Sequence, residues 1–248
     1  MWELFAGSHG LSSEFEASQE WNVLQPIDVI FGDRHNVLLD APHRMIVTVL
    51  QGDWVDLIHE GPPCSTMSQA VSPPRRTPAQ PFGVAGLPVA VQELLDAGTA
   101  LMLHAITYFM IQLQLGRCAV IEQPATSQAF WLPAFIKLLG TEGVLKLTLH
   151  YCRYGVRWKK PTAFTYTSRT MPDFASLAKT CICSVAHQEL RGGVWTSDGW
   201  RRWTQIASPY PKALCREYVK VASSIVCMAT AEDAGAGKSL NLPLTPNE

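Results

Sequence analysis

Short apolar runs alternate with segments of helical periodicity through the first half of this 248-residue chain. The runs with the length and composition of strands span residues 2–6, 23–31, 55–59 and 118–121. Apolar residues at helical spacing follow the first run, over 11–21, and recur over 91–109 before the last run. Because this alternation builds right-handed βαβ units, the sequence predicts an α/β fold around a mostly parallel sheet. Ligands of such sheets bind at the carboxyl ends of the strands.

The pattern changes beyond residue 145, where two strand-like runs at 147–151 and 163–167 replace the alternation. An irregular stretch follows, and we expect its tryptophans to form a miniature core rather than to stack on exposed bases: Trp195, Trp200 and Trp203. Helical spacing returns at 214–228. The predicted organisation is a core at 1–168, a small irregular region at 169–211, a closing helix at 212–228 and a disordered tail at 229–248.

Charge, cysteine content and hydropathy limit the class of protein. The 20 basic and 21 acidic residues nearly cancel, so any contact with nucleic acid must be a local patch. Seven cysteines without framework spacing and a first segment unlike a signal peptide indicate an intracellular protein, nuclear or cytoplasmic. The apolar stretch 98–115 is interrupted by polar residues, which favours a buried helix over a membrane span.

Two side chains with chemical potential follow two of the predicted strands. Cys64 comes after the double proline of GPPCSTMS, where a thiol is displayed toward a cleft, whereas Cys118 and Cys227 suit burial as small apolar residues. Glu122 ends the run CAVIE; alone, it is as readily a solvated charge or a helix cap. If the strands are parallel, Cys64 and Glu122 share one edge of the sheet and could share one pocket.

Two further segments attract attention for their composition. The proline-rich stretch 72–88 carries Arg75 and Arg76 and suits a mobile basic surface loop. Cys181, Cys183 and His187, with Cys152 as a candidate fourth member, resemble part of a metal site, but the C-x-C spacing departs from the usual zinc knuckle. We therefore expect no metal.

Four segments occur in the order and approximate spacing of the main motifs of C5-cytosine DNA methyltransferases: ELFAGSHGLSSEF, GPPCSTMS, IEQP and YGVRWKKPT. The chain resembles this family over residues 1–167, and the last helix resembles the family's closing motif. The resemblance implies a class I, Rossmann-like, S-adenosylmethionine-dependent methyltransferase fold with a small irregular C-terminal subdomain. We expect such a protein to act on DNA as a monomer and not to bind a membrane. RNA remains the alternative substrate.

The resemblance also assigns roles to residues. S-adenosylmethionine would lie against Phe5, Ala6, Gly7, Gly10, Leu11 and Pro62, with Asp28, Asp33 or Asp40 binding its ribose or adenine. Cys64 would add to C6 of a flipped cytosine and make C5 nucleophilic, while Glu122 would bind and protonate N3. Arg75 or Arg76 would close over the base or contact phosphates.

Several positions depart from the family pattern. Ser65 replaces a glutamine, EQP replaces ENV, and His9 and Glu14 replace glycines of the cofactor turn. When the family's Q-x-R-x-R motif is aligned with YGVRWKKPT, Lys160 is the only basic residue in register. Arg153 or Arg157 is a candidate to compensate for the missing arginines. A target-recognition domain of the usual length is missing. These departures keep open a third possibility, a catalytically decayed nucleic-acid-binding remnant of a mobile element.

Overall fold

A computed structural model of the chain, which describes residues 1–69 and 73–225, contains a five-stranded sheet in the order β1-β2-β3-β5-β4. The strands are β1 Trp2–Leu4, β2 Leu57–Glu60, β3 Cys118–Pro124, β4 Val144–His150 and β5 Pro161–Thr167. β1, β2 and β3 pair in parallel, and β5 runs antiparallel between β3 and β4. The prediction of a mixed α/β fold with a mostly parallel sheet is confirmed.

Helices cover both faces of this sheet. The α-helices are α1 Gly10–Ser18, α2 Asp40–Gln51, α3 Val89–Gln114, α4 Pro133–Leu139, α5 Trp203–Ile206 and α6 Lys212–Ala222. One apolar core joins the sheet to α2, α3 and α4, and a second joins its other face to α1 and α6. Short 3₁₀ helices lie at Val29–Phe31, Asp33–His35, Gln128–Trp131, Tyr151–Tyr154 and Pro172–Leu177. The sheet is therefore the middle of three layers, and the loops converge at the ends of its strands.

The strand predicted over 23–31 is wrong. This segment touches β1 through a single bridge between Leu4 and Ile27, and it then turns into the 3₁₀ helix Val29–Phe31. Pro26 has no amide hydrogen to donate to a ladder, and the Asp28 carboxylate accepts from the amide of Ile30 at 3.0 Å, which starts the turn. Of the apolar residues that suggested a strand, Ile27 is buried, whereas Leu24, Val29, Ile30 and Phe31 are exposed, 65% in the case of Ile30.

Helix α2 has no counterpart in the sequence prediction. Its first turn contains Pro42, and only Pro42, Ile46 and Leu50 on one side are buried. The closing helix predicted over 212–228 begins at Lys212 and already ends at Ala222, and residues 226–228 lie outside the described residues. The predicted disordered tail, 229–248, also lies outside them.

Helix α3 forms much of the core on one face of the sheet. Among the described residues it is the one helix long and apolar enough, by length and composition, to cross a membrane. Half of its most apolar window is buried in this fold, and Leu95, Met102 and Phe109 are fully enclosed. The expectation of a buried helix agrees with this packing.

The tryptophans of the C-terminal region do not form the expected core. Two of them pair across the hairpin β6 Gly193–Thr196 and β7 Gly199–Arg202, where Trp195 is 78% and Trp200 49% exposed. A two-stranded ribbon has no second layer to cover its face, so its large side chains stay in contact with solvent. The hairpin thus presents two indole rings at the surface.

Arg76 holds the proline-rich segment in place instead of closing over a ligand. Its side chain is 1% exposed and donates to the carbonyls of Thr66, Pro81 and Leu95 and to the hydroxyl of Thr99. A buried guanidinium with four acceptors fastens the loop to α3. The prediction that Arg76 contacts a base or phosphate is therefore wrong, and Arg75, which is half-buried, remains the candidate from this loop.

Replacing Arg76 tests this interpretation. We expect Arg76→Met to lower the free energy of unfolding by roughly 2–4 kcal/mol, because the substitution leaves several buried acceptors without a donor. The matched variant Arg75→Met should change it by less than about 0.5 kcal/mol, as is usual for surface positions. Urea denaturation of both variants provides the measurement, and equal losses would contradict the proposed anchoring.

Candidate functional site

Three candidate segments converge at the carboxyl ends of the parallel strands. Glu60 at the end of β2 is opposite Ile121 of β3, so Glu122 lies at the edge where β2 leads into the Cys64 segment. The amide of Gly61 donates to the carbonyl of Leu4 at 3.1 Å, which brings the turn after β1 to the same edge. The sheet register thus collects the thiol, the carboxyl and the glycine turn on one side of the molecule.

Cys64, Glu122 and Lys160 influence one another electrostatically. Burial raises the pKa of the Cys64 thiol, the negative charge of Glu122 raises it further, and the positive charge of Lys160 opposes both. Burial likewise raises the pKa of Glu122, again against the charge of Lys160. Glu122 is 8% exposed, and its Oε1 has no hydrogen-bond partner among the described residues. The site therefore contains a poorly solvated carboxyl with one oxygen free to bind something else.

Lys160 is held at this site by unusual backbone geometry. Its φ is 27°, a region that non-glycine residues rarely adopt and that is further disfavoured before a proline such as Pro161. The ammonium lies 4.6 Å from the ring centre of Tyr151 and donates to the carbonyl of Ser208 at 3.3 Å. Strain of this kind persists only where the surrounding structure imposes it, and it is common at functional sites.

The segment that carries Cys64 is fixed by β3 and by α3. Gln123 donates to the carbonyl of Pro62 at 2.8 Å and accepts from the hydroxyl of Ser127 at 2.8 Å. On the other side Thr66 packs so closely on Gly98 of α3 that a Cβ there would be 2.0 Å from its hydroxyl oxygen. The loop is therefore positioned from both sides, which limits the movement of the thiol.

A buried chain of aromatic hydroxyls, which sequence reasoning missed, supports the same edge. The two nitrogens of His59 on β2 are hydrogen-bonded to the hydroxyls of Tyr218 and Tyr210 at 3.1 and 2.9 Å. Burial lowers the pKa of His59 to about 3, so its ring is neutral and accepts from one tyrosine while donating to the other. Tyr210 also packs on Gly61, whose Cβ would be 3.2 Å from the phenol oxygen. A polar residue in the middle of an apolar strand is the sequence signal that could have revealed this network.

The backbone of the turn after β1 is strained, as is common at binding sites. Phe5, Gly7 and His9 all have positive φ values, of 57°, 51° and 43°. The exposed amide of Gly7 donates to the Asp28 carboxylate at 2.8 Å, which ties the turn to the segment after Ile27. Of the three acids considered from sequence, Asp28 is the one in contact with the turn.

Other cofactor candidates are placed less centrally. Asp40 lies in the first turn of α2, largely exposed and paired with Arg44 at 2.8 Å, and Asp33 lies exposed in a 3₁₀ helix. Ala6 and Leu11 are buried beside the turn, and Gly10 begins α1. Glu14, which replaces a glycine of the family pattern, lies 3.5 Å from Arg216 and 3.7 Å from Lys212, so it helps to hold α6 against α1.

The amino end of α1 already has an anionic partner within the chain. The Glu3 carboxylate accepts from the amide of Ser12 at 2.8 Å and from its hydroxyl at 2.5 Å. Burial raises the pKa of Glu3, and the hydrogen bonds from Ser12 oppose that shift. The amide of Ser12 is therefore not available to an external anion such as a cofactor carboxylate.

Arg153 and Arg157 are directed elsewhere. Arg153 donates to the carbonyl of Thr180 at 3.4 Å, next to Cys181, and Arg157 is exposed. The charge that acts on Cys64 and Glu122 belongs to Lys160. Within residues 1–69 and 73–225, no contact of either arginine supports its proposed compensating role.

Two features lie outside this edge. A surface depression of about 410 Å³ occurs beside Asp56, before β2, and thus at the amino ends of the strands; Trp21, Ser223 and Ile225 also line it. Separately, Cys181, Cys183 and His187 come together with Cys152, and their ligand atoms all lie within 4.8 Å of one another. The depression contains none of the candidate residues. The cluster joins Cys152 to the three residues that resembled part of a metal site in the sequence.

No model of a known protein family matches this chain, and neither does any curated protein. Among solved structures, one match is a protein described as a DNA modification methyltransferase encoded within an E. coli prophage. The two chains are 16% identical with a TM-score of 0.37, and the match covers 81% of this chain and 59% of the other. This chain thus spans about three fifths of that protein. A TM-score of this size establishes neither a shared fold nor a shared activity.

The electrostatic coupling predicts how Cys64 reacts. Where the Glu122 carboxyl is ionised, Glu122→Gln should lower the pKa of the thiol and speed alkylation by iodoacetamide, whereas Lys160→Met should raise the pKa and slow it. Mass spectrometry of the Cys64 peptide across a pH series gives the titration. Glu142→Gln, an exposed carboxyl paired with Arg169, is the control. Identical profiles for all four proteins would rule out the coupling.

The strained turn predicts an unusual effect of glycine at position 9. Because glycine adopts positive φ without penalty, we expect His9→Gly to raise the free energy of unfolding by up to about 1 kcal/mol, less any loss of the ring contact with Phe31. Ser8→Gly, at a neighbouring position without positive φ, should not stabilise the protein. Urea denaturation compares the two, and destabilisation of similar size by both would refute the prediction.

Proposed function

We propose that the protein is a class I, S-adenosylmethionine-dependent methyltransferase that methylates C5 of cytosine in DNA through a covalent bond to Cys64. The observation that carries the proposal is the grouping of Cys64, Glu122 and Lys160 at one sheet edge, beside the turn after β1. The order of the four sequence motifs supports the same reaction. A thiol paired with a poorly solvated carboxyl fits the need to activate an aromatic ring that is a weak nucleophile.

The residues of the turn fit the proposed cofactor. Phe5, Gly7 and Asp28 form an exposed turn whose open side could receive an adenosine, and a Cβ on Gly7 would meet no atom within 4 Å. Exposed apolar side chains of Val29 and Ile30 follow Asp28 directly and offer a surface for the adenine ring. When bound, S-adenosylmethionine supplies an electrophilic methyl group for C5.

Glu122 has the properties that the addition step requires. Because burial raises its pKa, the carboxyl retains a proton to a higher pH than an exposed glutamic acid does. A protonated Glu122 can donate to N3 of cytosine and withdraw electrons from the ring as the sulfur adds to C6. Its Oε1, which has no partner among the described residues, is the atom we assign to this contact.

Cys64 is a poor nucleophile before the substrate binds. The raised pKa keeps the thiol protonated at neutral pH, which protects it from oxidation. As Glu122 passes its proton to N3, its carboxylate accepts the proton that the thiol loses when sulfur adds to C6, and the positive charge of Lys160 favours the thiolate. In the proposed reaction Lys160 therefore takes the electrostatic part that arginines play in the family pattern.

The exposed hairpin supports nucleic acid as the substrate. Trp195 and Trp200 offer rings on which bases can stack, and Arg202 of β7 adds positive charge beside them, whereas Arg201 is paired with Asp198 at 2.9 Å. The hairpin belongs to the region between β5 and α6, and Ser208 from that region binds Lys160. A local patch of this kind is what the nearly neutral chain requires.

Covalent trapping on a fluorinated base tests the function. Incubation with S-adenosylmethionine and duplex DNA that contains 5-fluorocytosine should produce a protein–DNA adduct that survives denaturing electrophoresis, because fluorine at C5 blocks release of the enzyme. Cys64→Ser should abolish the adduct. Glu122→Gln should reduce its rate of formation by about 10²–10⁴-fold, the usual contribution of general acid catalysis.

Control variants identify the source of any loss. Cys118→Ala, at the opposite end of β3, and Glu142→Gln, on the surface, should both form the adduct at the wild-type rate. A fluorinated RNA of the same sequence, assayed in parallel, distinguishes RNA from DNA as the substrate. Binding of S-adenosylmethionine with no adduct and no methyl transfer to either polymer would contradict the proposal and favour a decayed remnant.

A further inference from the structure

Four soft ligand side chains meet at one point away from the proposed active site. Cys152 comes from the 3₁₀ helix after β4, and Cys181, Cys183 and His187 come from the irregular segment after residue 177. Their Sγ and imidazole nitrogen atoms all lie within 4.8 Å of one another. We propose that these residues bind a structural Zn²⁺ ion with a Cys₃His ligand set, and that the ion fixes this segment to the end of β4.

The interatomic distances suit tetrahedral zinc. With Zn–S bonds of about 2.3 Å and Zn–N bonds of about 2.0–2.1 Å, a tetrahedron places S and N about 3.5 Å apart and two S atoms about 3.8 Å apart. Cys181 Sγ and His187 Nε2 are separated by 3.5 Å. The remaining ligands need to move by about 1 Å at most, which side-chain rotation can provide. The same donor set disfavours Ca²⁺ and Mg²⁺, which prefer oxygen ligands.

The segment lacks other means of stabilisation. Residues 178–192 contain neither helix nor strand, and Ile182 and Val185 are 78% and 72% exposed instead of forming a core. Backbone hydrogen bonds join the segment to its neighbour at each end, from His150 to Lys179 and from Gln188 to Arg157, both at 3.0 Å. A small irregular region of this kind commonly depends on a metal or a disulfide for its fold.

The surroundings of the cluster suit a bound metal complex. The ring of His150 accepts from the amide of Cys181 at 2.7 Å and so fixes the backbone of one of the proposed ligands. Arg153, next to Cys152, donates to the carbonyl of Thr180 at 3.4 Å. Three thiolates and one Zn²⁺ carry a net charge of −1, and the guanidinium of Arg153 lies where it can balance that charge.

The ion would also steady one wall of the proposed active site. Cys152 directly follows Tyr151, whose ring carries the Lys160 ammonium, and the amide of Tyr151 donates to the carbonyl of Lys159 at 2.8 Å. The zinc proposal does not depend on the proposed function, because the cluster lies outside the residues assigned to the reaction. A protein that binds zinc and transfers no methyl group would leave it intact.

Metal analysis of the full-length protein tests the proposal. The protein is produced with zinc in the medium, kept reduced and dialysed, and its zinc is measured by inductively coupled plasma mass spectrometry. We expect about one zinc per chain. Replacement by Co²⁺ should give the intense visible d–d bands and the near-ultraviolet sulfur-to-cobalt charge-transfer band of a tetrahedral thiolate site. Removal of zinc by a chelator should lower the melting temperature, and added zinc should restore it.

Variants assign the ligands. Cys181→Ser combined with Cys183→Ser should reduce the zinc content at least about tenfold, while Cys118→Ala, a cysteine buried in β3, should retain it. If the double variant does not fold, His187→Ala alone should weaken binding and shift the cobalt spectrum. Wild-type protein without zinc, full zinc content in the double variant, or a disulfide among Cys152, Cys181 and Cys183 in the reduced preparation would each overturn the proposal.

Discussion

The parallel pairing of β1, β2 and β3 is the constraint on which the candidate site depends. Parallel strands all end at one edge, so the loops that follow them must meet there. In this chain the hydrogen bond from Gly61 to Leu4 and the register of Glu60 with Ile121 determine where along the strand direction each of the three loops begins. A shift of one residue in the β2–β3 pairing would turn Glu122 to the opposite face of the sheet, and the same shift in the β1–β2 pairing would displace the turn after β1 from the other two loops.

Buried polar groups then determine how the site behaves. Glu122 and Cys64 both have raised pKa values because they are removed from water, and Lys160 is the cation that opposes this effect. His59, by contrast, is neutral and bonded to two tyrosines, so it stabilises the edge without adding charge. The resting site therefore tends toward neutral acid and neutral thiol. In the proposed reaction, that condition suits proton donation to a bound ring and requires the substrate to assist in forming the thiolate.

The C-terminal region, small as it is, serves this edge in two ways. Helix α6 supplies Tyr218, and the residues before it supply Tyr210 and the carbonyl that receives Lys160. The irregular segment between β5 and the hairpin has little core of its own, and the proposed metal ion would supply its rigidity. The exposed indoles of the hairpin are then free to contact a partner.

The sequence by itself determined the α/β class, the strand ends that carry Cys64 and Glu122, and the turn after β1, because apolar periodicity and glycine or proline breaks are local properties of the chain. It misjudged residues 23–31 and Arg76, since pairing of a strand and burial of a guanidinium depend on neighbours far away in sequence. Only the tertiary structure decided which acid touches the turn, which cation acts on Cys64, and that Cys152 joins three ligands some 30 residues away. Each of these is a distance between segments, and a distance of that kind is fixed by packing rather than by composition.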